Sequence, residues 1–211
     1  MSPADDTPRT PRTPKAAKGE RTRDLLVEAA IQCIGRFGYT AATTELIARH
    51  AGLTRGPLQY YFTDRTGLIY EAFLRLQRGI IQRYIDASRD SDTPIQFVDA
   101  LLDVTYQVCR SEAHYALLEI IVASRSDPAL AARLEPQLVQ INRQFDARWT
   151  QRLAELDATP QQIATARYLA IALNRGLAIN SLTFKDPELF EREFAMTRRI
   201  AHLMYGTGKE G

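Results

Sequence analysis

The sequence predicts an all-α protein. Apolar residues recur with helical period along most of the chain. Thr or Asp followed by Pro, or Thr with Gln three residues on, marks several helix starts. No segment alternates apolar and polar residues as a half-buried strand would. Of 211 residues 45% are hydrophobic and 25% charged, the balance of an ordinary soluble protein. The longest apolar runs, such as ALLEIIVA, are short and contain a glutamate, so none is expected to cross a ~30 Å hydrocarbon layer. The first residues lack the apolar stretch of a secretory signal, and a cytoplasmic protein with no membrane partner is expected.

Residues 1–19 read as a disordered basic arm, because TPRTPRTPK is a Pro-rich near-repeat without apolar periodicity. From Arg9 to Arg23 six Lys/Arg stand against a single acid, Glu20, in a chain of net charge +2. Such an arm is either a solubilising tail or a segment that lies along a polyanion.

About nine helices follow. Leu25, Leu26, Ala29, Ala30, Cys33, Ile34 and Phe37 form one stripe of a helix from about Glu20 to Phe37, which Gly38 stops. Thr43 is the N-cap of a short second helix ended by Gly52, and Thr54 opens a third only two residues later. Helix, tight glycine turn, helix over 43–62 is helix-turn-helix spacing. A long helix runs from about Arg65 to Ser88. Asp92 or Thr93 caps the next, with Pro94 in its first turn, to about Arg110; another covers about Ala113 to Ser124. Asp127 caps a helix to about Leu156, bent or broken near Pro136, where proline removes a hydrogen bond and crowds the preceding turn. Thr159 and Gln162 form a capping box for a helix to about Asn180, and Asp186-Pro187 opens the last, through Met204.

Chemistry concentrates in GLTRGPLQYYFTDR, residues 52–65. With Thr54 as N-cap, the N–H groups of the first turn lack intrahelical partners. Pro57 loses nothing there, and Gly56 lets another molecule come close to the backbone. Those N–H groups, the Thr54 hydroxyl and the Arg55 cation favour a phosphate. Leu58 and Phe62 point inward, Tyr61 is shared between core edge and surface, and Arg55, Gln59 and Tyr60 point outward. Gln can pair with adenine and Arg with guanine in a major groove, and Tyr can reach a phosphate or base edge. Arg65 is placed for backbone contact beyond the helix, and Thr44 offers a second N-terminal anion site.

The stretch LLVEAAIQCIGRFGYTAATTELIARHAGLTRGPLQYYFTDRTGLIYEAF, Leu25 to Phe73, resembles the N-terminal DNA-binding domain of TetR-type bacterial transcriptional regulators. The resemblance implies a DNA-binding domain over 20–70 and an effector-binding and dimerisation domain over 71–205. It implies phosphate contacts from Thr44 and Thr54, a groove surface of Arg55, Gly56, Gln59 and Tyr60, backbone contact by Tyr61, and a basic position at Arg65. Pro57 stands where the family often has Thr, Ser or Asn, and Gln59 where it commonly has Tyr; these departures bear on base preference.

The second half is expected to dimerise, because a single short helix binds too weakly to select an operator. Ile163, Leu169, Ala170, Leu173 and Leu177, with Phe190, Phe194, Ile200 and Leu203, are the candidate interface, an intramolecular core being the competing reading. Tyr106, Arg110, Glu119, Trp149, Asn174 and Arg175 are polar or aromatic groups within apolar helices and the candidate lining of a small-molecule site.

Cys33 and Cys109 are too isolated for a disulfide framework or zinc site and read as buried apolar residues, and no metal or cofactor is expected. The expected function is a dimeric repressor that binds double-stranded operator DNA and is released by an unidentified small-molecule effector. The alternative is an all-α adaptor or enzyme that retains the fold. No nucleophile–base or metal-ligand spacing favours it.

Overall fold

A computed structural model of the chain describes residues 14–156 and 158–205. These residues hold nine α-helices: α1 Pro14–Phe37, α2 Thr44–His50, α3 Arg55–Tyr61, α4 Arg65–Ala87, α5 Pro94–Cys109, α6 Glu112–Ala123, α7 Pro128–Arg152, α8 Pro160–Thr183 and α9 Pro187–Tyr205. No strand occurs among the described residues.

Local chemistry accounts for most of the starts and stops. Thr43 Oγ1 accepts from Leu46 N at 3.2 Å, Asp127 Oδ1 from Leu130 N at 3.0 Å, and both Thr93/Gln96 and Thr159/Gln162 close as capping boxes. Gly38 and Gly52, at φ +83° and +68°, end α1 and turn α2 into α3 in a conformation that side chains strain to adopt.

α1 begins at Pro14, not near Glu20, so the last residues of the supposed disordered arm are helical. Lys, Ala and Ala after an N-terminal proline are good helix formers that carry no apolar stripe to betray them. The arm through residue 13 lies outside the described residues. Leu25 and Phe37 are exposed, narrowing the buried stripe of α1 to Leu26, Val27, Ala29, Ala30, Cys33 and Ile34. α7 is unbroken at Pro136, because that proline is on the solvent side, where water can take the Ala132 carbonyl left without a donor. It ends at Arg152 rather than near Leu156.

Two apolar clusters organise the molecule. The first joins α1, α2, α3 and the front of α4 to α6 and the first turns of α7 through Leu26, Ile34, Ile47, Leu58, Phe62, Phe73, Ile120 and Leu134. The second joins α5, the end of α7, α8 and α9 around Phe97, Trp149, Leu153, Ile163 and Phe194. The boundary expected at 70/71 falls inside α4, whose Leu68, Ile69, Ala72, Phe73 and Leu76 pack continuously in the first cluster. The packing of α1 on α6 is among the most extensive in the fold. Gly35 makes it possible: a Cβ there would stand 3.3 Å from the Glu112 carbonyl oxygen. Cys33 and Cys109 are free and buried, as their isolation in the sequence predicts.

Candidate functional site

α2 and α3 form a rigid corner. Leu53 N donates to Ala48 O at 2.9 Å across the turn, and Ile47, Ala48, Leu58 and Phe62 are buried against α1 and α4. This anchoring decides which side of α3 faces out. Thr54, Arg55, Gly56, Gln59 and Tyr60 are exposed, Tyr60 at 82%, while Pro57 and Thr44 are half-buried. Thr54 sits at the N-cap in extended backbone, but its hydroxyl makes no capping bond. The hydroxyl and the first-turn N–H groups therefore both remain available. A Cβ on Gly56 would meet nothing nearer than Thr54 Oγ1 at 4.0 Å, so the backbone there is open to an approaching molecule. Arg55 lies 3.6 Å from Glu45, both well exposed; such a pair contributes little and yields readily to a stronger anion.

Two expected contact residues sit differently. Tyr61 is half-buried at the seam with α1, its hydroxyl 3.1 Å from where a Cβ on Gly19 would stand, and its ring meets Tyr60 edge-on at 4.9 Å. Arg65 is engaged with the protein itself. Its Nε–H donates to Ala42 O at 3.1 Å, its Nη2 donates to the Tyr39 carbonyl, and its guanidinium lies 4.2 Å over the Tyr39 ring. Arg65 thus fastens the loop before α2 to the start of α4, a role that sequence spacing did not signal.

A cavity of about 280 Å³ lies among α4, α5, α6, α7 and α8. Of the expected lining, Trp149, Asn174 and Arg175 are present. Tyr106, Arg110 and Glu119 are not. Tyr106 and Arg110 lie on the side of α5 that meets α9, where both bond to Glu191 and Tyr106 packs on Phe190 and Phe194. Thr105, Val108 and Cys109, one step round the helix, face the cavity instead. Glu119 Oε2 accepts from Tyr39 N at 3.1 Å, so it joins α6 to the end of α1. Sequence reasoning missed Gln77, Tyr84, Thr105, His114 and Arg167, which also line the cavity. His114 is 6% exposed, and desolvation, then the nearby Arg175 cation, hold its pKa down at about 4. Burial pushes the Tyr84 phenol up to about 12 and the Cys109 thiol to about 11. Arg167, 3% exposed, is neutralised by Asp146, which accepts from its Nε at 2.9 Å and its Nη2 at 2.6 Å.

The candidate interface divides. Ile163, Leu177, Phe190 and Phe194 are buried within this chain, the intramolecular reading, and Ala170 lines the cavity. Leu169, Leu173, Ile200 and Leu203 are exposed, Leu203 at 72%, and with Ile179 and Met196 they form an apolar surface on α8 and α9. Among the described residues no helix is long and apolar enough to cross a membrane.

Comparison with known proteins agrees with the geometry. The profile of the TetR family of bacterial regulatory proteins matches residues 26–72, the segment that contains the α2–α3 corner. Over 194 residues the chain is 24% identical to the HTH-type transcriptional regulator CymR of Pseudomonas putida, covering 92% of this chain and 96% of that one. Over 107 residues it is 29% identical to the "Probable acrEF/envCD operon repressor" of Escherichia coli K12, covering 50% and 49%. A crystal structure of a transcriptional regulator from Rhodococcus sp. Rha1 superposes with a TM-score of 0.70 at 20% identity, over 86% of this chain and 96% of that one. These relatives are transcriptional regulators rather than enzymes. The segment that holds the buried anchor of α3 thus matches the TetR family of bacterial regulatory proteins, and the likeness of fold extends through the cavity-bearing helices.

Proposed function

We propose that this regulator is a dimeric repressor that holds operator DNA through α3 and releases it when a small molecule occupies the cavity. The observation that carries the reading is the two-sidedness of α3: Leu58 and Phe62 are locked in the core, while Arg55, Gln59 and Tyr60 stand out in solvent. Residues 20–70 would serve as the DNA-binding unit and 71–205 as the effector and dimerisation unit, with α4 shared between them. Thr44 and Thr54 take phosphates, Gly56 and Pro57 let the backbone come close, and Arg55, Gln59 and Tyr60 face the bases. Tyr61 and Arg65 set the pose of the helix pair.

Two copies are needed to place recognition helices in successive grooves about 34 Å apart. The apolar surface of α8 and α9 supports self-association, since burying it against the same surface of a second copy would remove Leu169, Leu173, Ile200 and Leu203 from water. α6 supplies the link between cavity and DNA. His114, Leu117 and Ile121 line the cavity, while Glu119 holds Tyr39 and Glu112 abuts Gly35. An effector that favours one position of α6 shifts the spacing of the two α3 helices, and its differential affinity for the two positions sets how far release goes.

A mobility-shift titration on DNA flanking the protein's own gene tests this reading. The expected result is a palindrome-dependent complex that forms with two chains per site and weakens with rising salt. Absence of any sequence-dependent complex at low salt would overturn it.

A further inference from the structure

We propose that the cavity is built for an anion, a carboxylate carried on a compact apolar body, with the guanidinium of Arg175 as its anchor. The inference rests on the reading of the cavity as the effector site and adds the chemical class. No Asp or Glu lines the cavity. Of its two arginines, Arg167 is already neutralised by Asp146. Arg175 is different: it is half-buried, and among the described residues it has no ion pair or hydrogen bond. Only Cys109 and Tyr84 act on it favourably, and both stay neutral at pH 7 because burial raises their pKa values to about 11 and about 12. The lining therefore carries one uncompensated positive charge. Guanidinium does not shed its proton, so the charge persists, and burying it without a partner is costly.

A carboxylate relieves that cost with two parallel N–H···O bonds, the geometry that guanidinium and carboxylate share. A second donor is at hand. His114 Nε2 is buried with no hydrogen-bond partner, and the neutral imidazole can present one N–H to a ligand oxygen. Tyr84 is already spent: Thr105 Oγ1 donates to Leu101 O at 2.6 Å, so the phenol, 2.7 Å from that oxygen, gives its proton to Thr105. The remaining surface is mainly aliphatic and aromatic, with Phe145 and Trp149 among its rings and Gln77, Asn142 and Asn174 as its neutral polar groups, and rewards an apolar body. One cation in such surroundings matches a monoanion, not a phosphate dianion. A cationic ligand would gain from the rings but meet Arg175 with no acid to offset it.

The test uses the full-length protein and a matched panel of probes: phenyl, naphthyl and octyl bodies, each as the carboxylate, the carboxamide and the methylammonium compound. Calorimetry reads binding, and a mobility shift reads release from DNA. The expected result is binding by one or more carboxylates, at least about tenfold weaker for their amides and for R175M, with partial recovery in R175K. R175M should fold at least as well as wild type, since it removes an unpaired charge, which a thermal melt verifies. The inference is overturned if no carboxylate binds, if an amide or ammonium compound binds as tightly, or if R175M binds carboxylates unchanged. Binding that depends on Arg175 but leaves the DNA complex intact would sink the effector reading and keep the anion site. Release of DNA by an amide through the cavity would do the reverse.

Discussion

The Tyr39 hydroxyl donates to Asp127 Oδ2 at 2.9 Å, tying the loop ahead of α2 to the first turn of α7. Asp127 is also the N-cap of α7, and Tyr39 N donates to Glu119 of α6, so one residue fastens the α2–α3 corner to two helices of the second half. Tyr39→Phe keeps the ring beneath Arg65 and deletes only the hydroxyl. Denaturant unfolding should show a loss of about 1 kcal/mol. An unchanged midpoint would mean that the bond contributes nothing in solution.

Arg65 provides the second prediction. As a fastener between Tyr39, Ala42 and α4, it should lower stability by about 1–2 kcal/mol when changed to Lys, which cannot span both carbonyls and stack. In Arg65→Gln, which removes the charge, the slope of log affinity for DNA against log salt should stay the same. A phosphate contact at this position would instead lower that slope by about 0.9.

At Gly56 stability and binding should part company. The added methyl of Gly56→Ala meets open space in the free protein and improves helix propensity, so the melting temperature should hold or rise slightly. DNA affinity should fall, because the methyl occupies the space a groove wall would take. Equal affinity for variant and wild type would show that DNA does not approach this turn.

Gly176 tests the proposed dimer surface. It lies on the exposed side of α8 between Leu173 and Ile179, and a Cβ there meets nothing within 4 Å in the single chain. Gly176→Leu is therefore tolerated by the fold yet obstructs a close helix–helix contact. Sedimentation should show dimers for wild type and a shift toward monomers for the variant. An unshifted dimer would place the interface elsewhere.

His114 makes stability depend on pH. Its folded pKa of about 4 lies below the ordinary 6.5, so the unfolded chain binds a proton that the folded one refuses. Stability is thus complete above the ordinary value and is lost as pH falls from about 6.5 toward 4, by on the order of 2–3 kcal/mol. His114→Gln should flatten that part of the profile relative to wild type. Parallel profiles would show that the imidazole is hydrated.

The sequence carried the fold wherever the determinants are local. The caps at Thr43, Thr93, Asp127 and Thr159 and the turn at Gly52 are read from a few neighbouring residues, and so is the two-sided α3, because Leu58 and Phe62 fix its inward face. Long-range partners were not legible. Tyr106 and Arg110 answer to Glu191, and Glu119 to Tyr39, across 80 residues or more, so their polar character within apolar helices pointed to a cavity they do not line. His114 carried no periodic or motif signal; only packing revealed its unpartnered nitrogen. Likewise Ile163 and Leu169 belong to the same apolar helix, and only the position of neighbouring helices buries one and leaves the other in water.

The most direct measurement is selection of binding sites from a random duplex pool by wild type and by Arg55→Ala/Gln59→Ala. Wild type should enrich a palindrome with half-sites about one helical turn apart. The double variant, with helicity intact, should enrich none or one altered at the bases these side chains face. Recovery of the same palindrome with the same affinity by both proteins would contradict the assignment of α3 as the element that reads DNA.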